Sequence, residues 1–180
     1  MSTFNPTHLA GLTPREAVAD VVYRATASFD QADADLLDSA MMEDAVLTIG
    51  DRQHFPDRAA IRADCWGPVS KLDTVHMASN VRVRFHSDAD ANDRNTANEA
   101  DANMATVTAN FQANHYRAGE GMRPDAVGFT TGGMYELQCV RQDGDEAGLW
   151  KASSWVVHLT WILGDPSVMT SGEDADKEKK

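Results

Sequence analysis

From Thr74 onward the apolar residues stop recurring at helical spacing and begin to alternate, and no other feature constrains the fold as strongly. Four segments carry the alternating pattern: residues 74–85, 105–116, 128–141 and 150–163. A period of two sends successive side chains to opposite faces of a sheet, so each segment reads as a strand with one face inward. All four exceed the usual strand length of about five or six residues. Their connections are turn-rich, as in Gln142-Asp143-Gly144-Asp145.

Upstream the signals are helical. Thr13-Pro14-Arg15-Glu16 combines a capping residue, a proline at the first helical position and a glutamate where a capping box requires it. Val18, Val21, Val22, Ala25 and Phe29 then share one face. A second helix is predicted over residues 33–42, with Leu36, Leu37, Ala40 and Met41 inward, and a short strand over 45–49. Pro56-Asp57 precedes a third helical piece over 58–66, which Gly67-Pro68 is expected to end. Helices first and long antiparallel strands afterwards predict an α+β domain in which a curved sheet wraps around its helices.

The 180 residues suit one domain, expected over 12–165 with an N-terminal extension at 1–11 and a disordered tail at 166–180. Residues 87–103 are almost wholly Asp, Asn, Ala, Glu and Thr, too polar to order themselves, and are expected to be a mobile acidic loop. The spacing of a calcium loop is missing there. A formal net charge of −12 argues against nucleic acid or an anionic membrane surface as partner. Cys65 and Cys139 match no metal or redox spacing, so two free thiols are expected. No basic start and apolar run mark a secretory signal, and the apolar stretch at 155–163 is too short to span a bilayer, so a cytoplasmic protein is the expectation.

Strand parity separates the histidines. Val107, Ala109, Phe111, Ala113 and His115 share one face, so His115 ends an apolar face directed inward. It is either a satisfied core histidine or a reactive one. His76 shares parity with Ala78 and Asn80, whereas Val81, Val83 and Phe85 have the opposite parity, so only a bulge or sheet curvature decides whether it faces solvent or a pocket. His158 reads as structural or interfacial. Asp30 follows Phe29 where the first helix ends. It is a helix-end aspartate, or a carboxylate that orients an imidazole and stabilises its charged form.

Ser28-Phe29-Asp30, Thr74-Val75-His76-Met77, Asn114-His115-Tyr116-Arg117 and the closing strand from Trp150-Lys151 to Trp161 stand in an order that resembles scytalone dehydratase and its SnoaL-like relatives, of the nuclear transport factor 2-like superfamily. The resemblance covers about residues 12–165. It implies a cone-shaped half-barrel around the N-terminal helices, enclosing a cavity. It also implies His115 as general acid/base, Asp30 as its orienting partner and His76 as an auxiliary polar group. Phe29, Ile49, Trp66, Phe111, Phe129, Thr131, Tyr135, Trp155 and Val157 are the expected substrate-binding wall, suited to a flat aromatic or polyketide-like molecule. Two tyrosines of scytalone dehydratase fall at Phe29 and Ile49, and a serine and an asparagine at Gly133 and Tyr135, so scytalone is not the expected substrate.

These features predict a cofactor-independent enzyme of secondary metabolism, a lyase or an isomerase/cyclase that moves a proton next to a carbonyl. Neither a metal-ligand cluster nor a phosphate-binding loop is present in the sequence. A non-catalytic binding protein of the same fold is the alternative, favoured by the lost tyrosines. An epoxide hydrolase of the limonene type would need an Asp–Arg–Asp set that the strands do not supply. A homo-oligomer, dimer or trimer, is expected through the open sheet face around Trp161.

Overall fold

The computed structural model describes residues 6–51, 53–86, 99, 101–142 and 148–170. Most of the acidic loop and the segment 171–180 lie outside the described residues.

Helix α1 (Pro14–Asp30) begins at the expected capping box: the Thr13 backbone N–H donates to Glu16 Oε2 at 2.8 Å, and the Glu16 N–H returns to Thr13 Oγ1. Its apolar face, Val18, Val21, Val22 and Ala25, is wholly buried. The curved six-stranded sheet against which it packs comprises β1 (Met41–Ile49), β2 (Gln53–Phe55), β3 (Asp73–His86), β4 (Met104–Tyr116), β5 (Gly128–Arg141) and β6 (Trp150–Gly164). The spatial order is β2-β1-β6-β5-β4-β3. The β1–β6 pair is parallel and every other pair antiparallel. This is the predicted α+β half-barrel.

Arg24 ties α1 to its surroundings. Its guanidinium is buried and donates to the Asp20 carboxylate, the Ser39 carbonyl and, at 2.8 Å, the Trp150 carbonyl. These acceptors, with Ser39 Oγ at 3.1 Å, compensate for removing the charge from water.

The structure departs from the sequence-based boundaries at four places. Helix α2 (Ala34–Ala40) stops before Met41, which is already extended and pairs with Ala152 of β6, so the first strand starts four residues earlier than expected. The third helical piece is α-helical only over α3 (Arg58–Ala60) and continues as a π-helix, Ile61–Trp66. Gly67-Pro68 does not end it: a further turn, α4 (Gly67–Val69), follows directly. Pro166–Met169, expected as tail, form a 3-10 turn with Val168 fully buried.

Two of the sheet's bulges set which side chains reach the cavity end of the concave face. In β3 the register against β4 shifts between Ser79 and Arg82, where Asn80 adopts a left-handed φ of 53°. In β6 it shifts opposite Gly132 and Gly133, leaving Thr160 as the extra residue between Leu159 and Trp161. One inserted residue reverses the parity of everything beyond it. No helix among the described residues is long and apolar enough to cross a membrane.

Candidate active site

The concave face of the sheet, the end of α1 and the π-helix enclose a cavity of about 320 Å³. Behind the wall residue His76 stands Asp30, the last residue of α1, after which the chain turns through Gln31 and a left-handed Ala32. Both Asp30 carboxylate oxygens accept the His76 backbone N–H, at 3.1 and 2.9 Å, and Oδ1 lies 2.6 Å from His76 Nδ1. A carboxylate can only accept, so Nδ1 carries the proton and the lone pair of neutral His76 is on Nε2. The Phe29 ring packs on this imidazole at 5.5 Å.

The aspartate's partner is therefore His76. His115, expected to hold that place, is bonded elsewhere: its Nδ1 lies 2.8 Å from Thr74 Oγ1. The physical reason is the β3 bulge. Thr74, His76 and Ala78 pair with His115, Ala113 and Phe111, all inward, while beyond Asn80 the inward set becomes Val81, Val83 and Phe85. The bulge swings His76 toward the end of α1, and His115 sits one strand further away. The two rings remain neighbours, their centroids 5.3 Å apart at 70°, with Phe129 stacked beyond His115 at 6.3 Å. Neither Nε2 has a partner among the described residues, and neither is among their buried, unpartnered side-chain atoms. Both thus keep contact with open space, which for these two wall residues is the cavity.

Burial lowers the pKa of His115 to about 4, repulsion from His76 adds to this, and the Asp30 charge opposes it. The ring is neutral at physiological pH. The same groups make stability depend on pH. The unfolded chain takes up a proton at this histidine near 6.5 while the folded chain does so only near 4, so its contribution is complete above 6.5 and is lost as pH falls toward 4. At 1.36 kcal/mol per pH unit, the wild type should lose about 3 kcal/mol more than His115→Gln between pH 7 and 4. Denaturant unfolding of both proteins at several pH values measures this difference. Equal slopes would contradict the burial of the ring.

The rest of the wall is apolar and aromatic. Phe29, Ile49, Phe111, Phe129, Thr131, Tyr135, Trp155 and Val157 line it as expected. Trp66 does not: its indole N–H donates to the Ser28 carbonyl at 3.0 Å, pinning the π-helix to α1. Tyr135 stacks on Phe111 at 4.1 Å and meets Trp155 edge-on at 5.0 Å. Burial first, then the nearby Asp30 charge, raises its phenol pKa, so it stays protonated and can donate. Trp155 Nε1 is a buried donor without a partner among the described residues.

Several wall residues were not anticipated. Leu47 and Gln53 come from β1 and β2, Cys65 and Val69 from the π-helix and α4, and Met169 from the closing 3-10 turn. Leu47 shares parity with Ile49 and was within reach of the alternation pattern. Leu159 and Ile162 both face inward only because the β6 bulge lies between them, a displacement that alternation cannot reveal. Among the described residues, no group of three or more His, Cys, Asp or Glu side chains is arranged to hold a metal ion.

A family model described as a SnoaL-like domain matches residues 10–156. The chain is 36% identical over 157 residues to terrestric acid biosynthesis cluster protein E of Penicillium crustosum, spanning 87% of this chain and 90% of that protein. Among solved structures it resembles a candidate scytalone dehydratase from Novosphingobium aromaticivorans DSM 12444, with 18% identity, coverage of 83% of this chain and 86% of that one, and a TM-score of 0.62. It also resembles a nuclear transport factor 2-like protein of Salmonella enterica serovar Typhimurium, with 12% identity, coverage of 84% and 90%, and a TM-score of 0.60.

Proposed function

The chain belongs to the SnoaL-like family, and from that premise we propose that it is a cofactor-independent enzyme of secondary-metabolite biosynthesis that moves a proton next to a carbonyl group. The observation that carries this reading is the Asp30–His76 pair, 2.6 Å apart, at the polar end of an apolar cavity. The relative encoded in a biosynthesis cluster supports the pathway class.

In this reading His76 Nε2 takes the α proton and Asp30 stabilises the imidazolium that forms. The electron pair left on carbon moves to the carbonyl oxygen, where the Tyr135 phenol and His115 supply a polar wall for the developing charge. The enolate then collapses in one of three ways. It expels a β-hydroxyl as water with a proton returned from His76, is reprotonated elsewhere, or attacks a second carbonyl. These outcomes give dehydration, isomerisation and cyclisation from one proton-transfer step.

The wall also favours a compact, uncharged substrate. Among the described residues no lysine or arginine lines it, so a carboxylate or phosphate would gain no cationic partner from them and would lie close to Asp30, at a cost of several kcal/mol. Neutral aromatic ketones and lactones match its shape and polarity. Association of copies through the exposed Trp161 and Leu163 belongs to the same proposal.

A direct test is α-proton exchange in deuterium oxide, followed by proton NMR on a panel of uncharged aromatic ketones and lactones beside matched carboxylic acids. The expected result is protein-dependent exchange confined to neutral compounds. Exchange restricted to the acids would refute the substrate class, and none across the panel would favour a binding role. That second reading has one observation behind it: Phe29 and Ile49 stand in the wall where two phenols would serve a scytalone dehydratase.

A further inference from the structure

We propose that Thr74 is a positioning residue that fixes His115 in the tautomer with its proton on Nε2, making this ring a hydrogen-bond donor to the substrate oxygen. The inference deepens the reading of His76 as the base and rests on it for its catalytic meaning.

Thr74 and His115 are directly opposed across β3 and β4, and both side chains are buried. The Thr74 hydroxyl lies 2.8 Å from His115 Nδ1 and makes no other hydrogen bond among the described residues. A hydroxyl has one proton to give, and a neutral imidazole has one donor and one acceptor nitrogen. If Nδ1 carried the proton it would donate to Oγ1, and the hydroxyl's own hydrogen would be left buried without an acceptor among the described residues. With the hydroxyl donating to Nδ1, the single proton of the neutral ring is placed on Nε2, the atom open to the cavity. Burial keeps this ring neutral, so it has a single proton to place.

Two imidazoles with centroids 5.3 Å apart are thereby held in opposite tautomers. Asp30 accepts from Nδ1 of His76 and leaves a lone pair on its Nε2. Thr74 donates to Nδ1 of His115 and leaves a proton on its Nε2. One ring is prepared to take a proton from carbon and the other to meet the charge that appears on oxygen. No step requires His115 to change protonation state. It acts as a fixed dipole, the arrangement that costs least reorganisation during the reaction.

Nitrogen-15 NMR of the uniformly labelled full chain reads both tautomers from the couplings of ring carbon-bound protons to each nitrogen. The expected spectrum of the resting protein shows His115 protonated at Nε2 and His76 protonated at Nδ1. Thr74→Val removes the hydroxyl at constant shape. It should convert His115 to a mixture of tautomers and lower kcat for α-proton exchange about 100-fold, with KM changed by less than about threefold. Thr74→Ser restores the hydroxyl and should restore both the spectrum and kcat. A wild-type His115 protonated at Nδ1 overturns the proposal, and this spectrum does not depend on how the variants fold. Thr74→Val with unchanged tautomer and kcat overturns it as well. The tautomers are read without substrate, so loss of the proton-transfer reading through lack of exchange is distinguishable from loss of the Thr74 assignment.

Discussion

His76→Ala should lower kcat/KM for α-proton transfer by 10²–10⁴-fold, the range a positioned general base supplies, while leaving the fold in place. The side chain is largely buried, but its hydrogen-bonding partner among the described residues, Asp30, is partly exposed and retains the His76 backbone N–H, which it already accepts at 2.9 Å. The carboxylate is therefore not stranded when the ring is removed. Asp30→Asn should act through the ring. An amide can present its NH₂ to Nδ1, which inverts the tautomer and removes the lone pair from Nε2, and it no longer neutralises an imidazolium. A loss approaching that of His76→Ala is expected, and the double variant should be little worse than either single one because the two groups act as a unit. Rates of deuterium exchange for the three variants, with thermal melts to show that each is folded, provide the measurement.

The same series separates the two classes of function. In a catalyst the variants lose turnover while ligand affinity stays within about tenfold, roughly 1.4 kcal/mol. If His76→Ala kept full rate and His115→Ala lost it, the base would be His115, and the contact between Asp30 and His76 would be only structural.

Gly133→Ala should be the most destabilising single methyl in the molecule's concave face, costing about 3 kcal/mol or more. A Cβ built on Gly133 would stand 1.9 Å from the His158 carbonyl oxygen and 3.0 Å from the Thr160 nitrogen. Both are backbone atoms of β6 flanking its bulge, so relief requires β5 and β6 to separate. That movement would carry Leu159 and Ile162 out of the cavity wall. Gly132→Ala is the matched comparison. Its Cβ would meet the Trp161 ring at 2.3 Å, but Trp161 is 44% exposed and can swing aside. Urea unfolding of both variants should show Gly133→Ala losing clearly more stability, and equal losses would mean that the bulge is softer than its geometry indicates. The clash also accounts for a residue that resemblance alone could only record as a departure: a glycine stands at 133 because the bulged strand leaves no room for a serine.

Local patterns in the chain were enough for the parts whose physics is local. The capping box at Thr13 and Glu16, the apolar stripe of α1, the inward parity of β4 and β5, and hence Phe111, Phe129, Thr131 and Tyr135 in the wall, all follow from hydrogen-bonding needs and from periods of 3.6 and 2. Asp30 at the end of α1 was legible for the same reason. Which imidazole it holds was not. Alternation determines a face only up to the next inserted residue, and the left-handed Asn80 reverses it within β3, as Thr160 displaces it within β6. Neither bulge has a signature in its own sequence, since each is stabilised by pairing with a neighbouring strand distant in the chain. The π-helix that turns Trp66 toward Ser28 and sets Cys65 in the wall is likewise a product of packing. Short-range spacing therefore specified the elements and most of the cavity's lining, whereas strand-to-strand register, a long-range property, chose His76 over His115 as the partner of the carboxylate.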